Sequence, residues 1–242
     1  MTIMSDILTA QAQSRKLLVL LIDPEKCLSA PSLPAHLSLP DMIFVGGSTG
    51  QYAHECVTLL REHTCRPIIL FPGNIAQFTP AADALLFLTL LNARTADILI
   101  EPHIHIAQQV IQSGIETIPM GYILIHGERK SSVETATNCT PLPQSDIARI
   151  VSTAVAGQLM GKALIYLEAG SGAHRPVSPE VIRAVREQLC IPLIVGGGIT
   201  TPQAMMQAYD AGADIVVIGN HFEQFPDEIE DFVRIKQEKY GK

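Results

Sequence analysis

Few of the 242 residues carry charge (17%), and the charges lean acidic: 17 Lys and Arg stand against 24 Asp and Glu, for a formal net charge of −7 and a sequence pI near 5.6. A nucleic-acid footprint needs clustered lysine and arginine, so the composition argues against such a partner, and any anionic ligand has to be held locally. No apolar run approaches the roughly 20 residues of a membrane span. Residues 1–16 carry polar and acidic groups where a secretory leader needs an apolar stretch. The expectation is a soluble, cytoplasmic protein. Cysteine is sparse: Cys27, Cys56, Cys65, Cys139 and Cys190 are odd in number and form no Cys-x-x-Cys pair, which fits reduced thiols and gives a structural zinc site little support.

What is present is a large apolar fraction (47%) gathered into eight short runs: Leu17–Ile22, Met42–Val45, 67–71, 85–91, 117–125, 163–168, 192–195 and Ile215–Ile218. Continuous apolarity marks strands buried on both faces, as in parallel sheets. Helical patterns lie between most of them. Residues 179–189 follow Ser178 as N-cap, and 202–212 open after Thr201 and end at Gly212. Eight strands with crossover helices predict an α/β fold of the (β/α)8 TIM-barrel type, one domain over residues 1–242. Residues 72–84 hold Pro-Gly-Asn and a second proline and leave little room for a full helix, so the helical cover is expected to be incomplete after strand 3. Residues 126–143, polar and following strand 5, are expected as a long loop or lid on the catalytic face.

In such barrels the reactive groups lie at the C-terminal ends of the strands, and the loops after strands 7 and 8 commonly hold phosphate. Both of those strands end in glycine, in Val195-Gly-Gly-Gly-Ile199 and Ile218-Gly-Asn220, so bare backbone N–H groups can approach an anion. Strand 1 ends in Asp23, a hard oxygen ligand suited to Mg²⁺ and equally readable as a helix N-cap before Pro24. Strand 2 ends in the small-residue loop 46–50, whose hydroxyls suit a metal or diphosphate site or an ordinary tight turn. Strand 6 ends in Tyr166-Leu-Glu-Ala-Gly-Ser-Gly172, and Glu168 is the candidate general base, the alternative being a hydrogen-bonded turn residue. Arg94, just past strand 4 beside Asn92, reads as a diphosphate fork or a surface ion pair. His103 and His105 form a pair without a third ligand and read as surface or packing residues, and Met205-Met206 reads as core or neighbour contact. Lys16 and Lys162 precede strands 1 and 6, the wrong face for Schiff-base chemistry.

The ordered motifs Asp23-Pro-Glu-Lys26, Val45-Gly-Gly-Ser-Thr-Gly50, Tyr166-Leu-Glu-Ala-Gly-Ser-Gly-Ala173, Val195-Gly-Gly-Gly-Ile199 and Ile218-Gly-Asn220 resemble the geranylgeranylglyceryl phosphate synthase family over essentially the whole chain. The resemblance implies a prenyltransferase that joins sn-glycerol 1-phosphate to geranylgeranyl or a longer polyprenyl diphosphate. Carried over by position, Asp23 and Ser48 would bind Mg²⁺. Tyr166, Leu167, Glu168, Ala169, Gly170, Ser171, Gly172, Gly197, Gly198, Gly219 and Asn220 would bind glycerol phosphate, with Glu168 where the family's proposed base or hydroxyl-orienting residue lies. The gap after strand 3 resembles the family's missing helix, where the prenyl chain lies in an apolar groove; Phe71, Phe78, Phe87 and Leu88 are its wall candidates, equally readable as core. Leu21 stands where one subset has a basic residue, so the chain resembles the larger subset, whose members are often homo-oligomers, dimers or hexamers. Peripheral membrane contact fits an amphiphilic product. His221 and Glu101-Pro102 depart from the family pattern. Two other readings stay open: a different phosphate-binding barrel isomerase or lyase, which would not require Mg²⁺ with a polyprenyl substrate, and a non-catalytic barrel that binds a phosphorylated metabolite.

Overall fold

A computed structural model of the chain describes residues 2–29, 36–47 and 51–241. Its strands are β1 (Leu17–Ile22), β2 (Met42–Val45), β3 (Ile68–Leu70), β4 (Ala84–Leu90), β5 (Glu116–Leu124), β6 (Leu164–Glu168), β7 (Leu193–Gly196) and β8 (Ile215–Ile218). All pair in parallel in sequence order, and β8 returns onto β1 to close the barrel. The helices are α1 (Ile3–Ala12), α2 (Pro24–Ser29), α3 (Ala53–Arg61), α4 (Ala96–Leu99), α5 (Glu101–Ser113), α6 (Ser132–Thr137), α7 (Ile147–Leu159), α8 (Pro179–Arg186), α9 (Pro202–Asp210), α10 (Asn220–Gln224) and α11 (Ile229–Tyr240). The expected (β/α)8 barrel is what forms. Ser178 and Thr201 cap α8 and α9 through bonds from Val181 N and Ala204 N. Among the described residues no helix is long and apolar enough to cross a membrane.

The strand runs are apolar throughout because each strand serves two cores. Side chains alternate with period two. Leu17, Val19, Met42, Phe44, Ile69, Leu86, Met120, Tyr122, Tyr166, Ile194 and Val217 fill the barrel. Leu18, Leu20, Ile43, Val45, Ile68, Leu70, Ile123, Leu167, Val195 and Val216 meet the helical layer. Glu168, two residues beyond Tyr166, falls on the inward row at the mouth.

Between β3 and β4 the cover is a single 3-10 turn, Ile75–Gln77, as expected from the prolines. The buried Gln77 side chain ties this crossing down. It accepts from Gly73 N at 2.8 Å and donates to Gly47 O at 3.0 Å. Residues 126–143 are ordered by α6, which Ser131 caps, and by a bridge between Ile125 and Leu142.

The opposite, N-terminal rim is built from carboxylates. Asp41, Asp83 and Asp214 each stand one residue before a strand, and each carboxylate accepts a backbone N–H at the start of the preceding one: Leu18 at 2.8 Å, Ile68 at 2.7 Å and Leu193 at 2.9 Å. Each has basic partners: Arg15 and Lys236 for Asp41, Arg61 for Asp83, Lys16 and Arg186 for Asp214. Helix α1 closes this end with Ile3, Ile7 and Ala10, and its first N–H groups, Ile3 and Met4, donate to the Glu116 carboxylate at 2.6 and 2.9 Å. A carboxylate on a helix N-terminus is favourable, and bonds to charged acceptors contribute about 1.5–3 kcal/mol. Because Glu116 is half exposed, Glu116→Ala is expected to lose about 1–2 kcal/mol of stability by denaturant titration; an unchanged midpoint would mean that α1 docks by apolar contact alone.

Candidate active site

The mouth of the barrel collects the ends of β1, β6, β7 and β8. Glu168, 6% exposed, closes β6. Its Oε1 accepts from Gly170 N at 2.7 Å, and the Tyr166 hydroxyl hydrogen-bonds the same carboxylate. Burial pushes the Glu168 carboxyl above the usual range, and those two bonds oppose the shift. Burial also pushes the Tyr122 and Tyr166 hydroxyls well up, and the Glu168 charge adds to both. They therefore stay neutral donors. Phe71 lies over this pair, stacked on Tyr166 at 5.5 Å and 6.0 Å from Tyr122 between ring centroids.

The glycine loops close on Glu168 from both sides. Gly197 adopts φ +81°, and a Cβ there would lie 2.3 Å from Glu168 Oε1 and 2.6 Å from Gly170 N, so no side chain fits. Gly198 sits against the main chain of Ala173, and Gly219 lies beside Leu21 of β1. Asn220 opens α10; its Oδ1 accepts from Lys26 Nζ at 3.3 Å, and Lys26 also pairs with Glu223 at 2.6 Å, which ties the loop after β1 to the loop after β8. Ser171 is exposed at the tip of its loop. Thus Tyr166, Glu168, Gly170, Ser171, Gly172, Gly197, Gly198, Gly219 and Asn220 come together at one mouth. Leu167 and Ala169 do not share it by side chain: both face the helical layer, which leaves only their main chain for a ligand.

Asp23 is half-buried at the end of β1. Its Oδ1 accepts from Glu25 N at 3.0 Å and its carbonyl from Cys27 N at 2.9 Å. It therefore caps the start of α2, as one of its two readings expected. Among the described residues no group of three or more His, Cys, Asp or Glu gathers as a metal cage. Mg²⁺ does not need one, since it typically takes one or two carboxylates and draws its other ligands from water and substrate phosphates. Asp23 fits that donor set. Ser48, the other metal candidate, lies outside the described residues.

The remaining candidates, Phe71 apart, make contacts away from Glu168. Arg94 donates to its own loop, Leu91 O at 3.0 Å and Ala93 O at 2.7 Å, and makes neither fork nor ion pair among the described residues. Asn92, buried, clamps the end of β5 through Leu124 N and O. His103 packs on Phe87 and bonds Leu88 O and Leu99 O, a packing residue and not a ligand. Lys16 bonds Ala213 O and Lys162 bonds Thr89 on the outer face of β4, away from any Schiff-base position. Of the groove candidates, Phe71 and Leu88 belong to the inner core, Phe78 and Phe87 to the outer layer under the missing helix.

Against known proteins, the PcrB family model matches residues 10–236. A geranylgeranylglyceryl phosphate synthase of Zunongwangia profunda is 45% identical over 226 residues, 91% of this chain and 97% of that one. One of the same name from Flavobacterium johnsoniae is 40% identical, covering 92% and 94%. The crystal structure of (S)-3-O-geranylgeranylglyceryl phosphate synthase from Thermoplasma acidophilum, in complex with sn-glycerol-1-phosphate, matches with a TM-score of 0.88 at 31% identity, over 98% of this chain and 99% of that chain. With end-to-end likeness in both sequence and fold, the chain belongs to the PcrB family, alongside the geranylgeranylglyceryl phosphate synthases.

Proposed function

We propose that the chain joins sn-glycerol 1-phosphate to geranylgeranyl or a longer polyprenyl diphosphate, giving a prenylglyceryl phosphate and diphosphate. The observation that carries this reading is the buried Glu168 carboxylate, seated between the Tyr166 hydroxyl and the Gly170 N–H and against Gly197 of the loop after β7, with the β8 loop meeting the β6 loop alongside at Gly172. The loop N–H groups and Asn220 hold the phosphate, which orients the glycerol toward Glu168. As the hydroxyl oxygen bonds to the allylic carbon, Glu168 takes its proton, and the bond from that carbon to the diphosphate oxygen breaks with its electron pair on the diphosphate. Mg²⁺ held by Asp23, with Ser48 its second candidate ligand, supplies charge neutralisation to the diphosphate when bound. The apolar chain runs over Phe78 and Phe87, where the 3-10 turn leaves the outer layer thin. We place the enzyme in the cytoplasm as a homo-oligomer touching membrane only peripherally.

Purified protein with Mg²⁺, labelled geranylgeranyl diphosphate and either glycerol phosphate enantiomer tests this. Label is expected in a phosphorylated ether lipid with the 1-phosphate alone, and none after chelation of Mg²⁺. Failure of both enantiomers across a series of longer donors would overturn the reading. With saturating substrates, kcat is expected to rise with pH through an inflection above the ordinary carboxylate range, because the base must be ionised and both burial and the neighbouring phosphate raise its pKa. A kcat already flat from the lowest pH tolerated would remove Glu168 from that role.

A further inference from the structure

The loop after β5 packs against the loop after the neighbouring β6. Its Gly127 carbonyl accepts from His174 N at 3.0 Å and Arg175 N at 3.2 Å, and Ser131 packs where a Cβ on Gly170 would fall, 2.7 Å away. Arg129 rides on this crossing. Its Nη1 donates to Gly172 O at 3.3 Å, and a Cβ built on Gly172 would lie 3.2 Å from Arg129 Nη1 and 3.8 Å from Asn220 Nδ2. The guanidinium and the Asn220 amide thus flank one glycine, on loops distant in sequence. Asn220 spends its oxygen on Lys26, which leaves its amide nitrogen facing the glycine.

The charge on Arg129 is unanswered locally. The adjacent Glu128 pairs with Arg175 at 3.4 Å, and among the described residues no carboxylate pairs with Arg129. A guanidinium has five N–H donors in a fixed fork, and one long bond to a carbonyl leaves most of them free beside the N–H groups of the glycine loops. Arginine forks bind phosphate oxygens bidentately and more strongly than neutral donors do.

We infer that Arg129 is a phosphate-binding residue, gripping the phosphate monoester of the glycerol phosphate from the solvent side opposite Asn220. The inference rests on the glycine loops being the glycerol phosphate site, as proposed above. It adds a cation to a site that its sequence motifs present as almost wholly backbone and amide. The monoester is the anion favoured because Arg129 touches the loop after β6, whereas the diphosphate belongs with Asp23 across the mouth.

Steady-state kinetics of Arg129→Ala and Arg129→Lys, with both substrates varied, test it. Losing charge-assisted bonds to a phosphate is expected to raise KM for sn-glycerol 1-phosphate about 10- to 100-fold in Arg129→Ala, with the KM for prenyl diphosphate unchanged and kcat within a few-fold. Arg129→Lys, keeping the charge without the fork, is expected to fall between. Calorimetric titration of sn-glycerol 1-phosphate into the same proteins should show the same order. Arg129 is exposed, so folding should survive, and a thermal melt of each variant checks this. If the wild type binds the ligand and Arg129→Ala binds equally well, the inference fails while the function stands. A rise confined to the KM for prenyl diphosphate also overturns it, moving Arg129 to the diphosphate. No binding by the wild type would bring down the functional reading itself.

Discussion

Turnover of Glu168→Gln is expected to fall by about two to four orders of magnitude, the usual contribution of a positioned general base, while the protein melts no lower than wild type. Glutamine matches the side chain in size and keeps an oxygen for the Gly170 N–H, but it cannot accept a proton from a hydroxyl. Stability follows from the direction of the pKa. Burial raises the folded-state value above the unfolded one, so this group's contribution is fully present below the unfolded pKa and is lost as pH rises through the folded pKa. Above the folded-state pKa the ionised carboxylate is therefore a burden that an amide removes. Melting temperatures of the two proteins at acidic and neutral pH should diverge in the variant's favour as pH rises. Turnover retained by the variant would strip Glu168 of its role, and a melt lowered by many degrees would make the carboxylate structural.

Gly197→Ala is expected to damage both properties. At φ +81° an L side chain costs about 1–2 kcal/mol from backbone conformation alone, which for a protein of this size lowers the melting temperature by about 2–8 °C. The methyl would also sit 2.3 Å from Glu168 Oε1 and 2.6 Å from Gly170 N, so either the carboxylate or the loop after β6 has to move. A displacement of about 1 Å at a reacting group costs about 100-fold in rate, and a loss of at least that order in kcat is expected. Gly114→Ala is the control. That glycine caps α5 at φ +69° with nothing within 4 Å of its would-be Cβ, so the variant should share the loss of stability and keep full turnover. Equal kinetics in the two variants would mean that the Gly197 clash relaxes without touching Glu168.

The barrel was legible because its strands are buried on both faces, which turns each into a compact apolar run. β1, β2 and β8 coincide with their runs to the residue, while β3 is shorter at both ends, at its start because Pro67 has no N–H to donate. The strand-end rule alone puts Asp23, Glu168 and the terminal glycines on one mouth. Period two was the unused signal at Leu167 and Ala169: if Tyr166 and Glu168 face the barrel, their neighbours must face the helices. Helix α1 leaves a faint trace in the sequence, Ile3, Ile7 and Ala10 repeating at the spacing of one helical face among polar and acidic residues. Arg129 carried no local signal at all. Its place depends on one loop crossing another 43 residues further along the chain, which no pattern within either segment records.

The three aspartates at the N-terminal rim bear on how this scaffold tolerates change. Each joins two neighbouring strands at their starting points and is itself held by a basic side chain. A slip of one residue between strands so joined would break these stitches and turn the slipped strand's inward side chains outward. Alignment is thus recorded at the end remote from the substrates. The loops on the other side are released from keeping count, and can lengthen, shorten or exchange residues such as His221 while the strands beneath them stay in step.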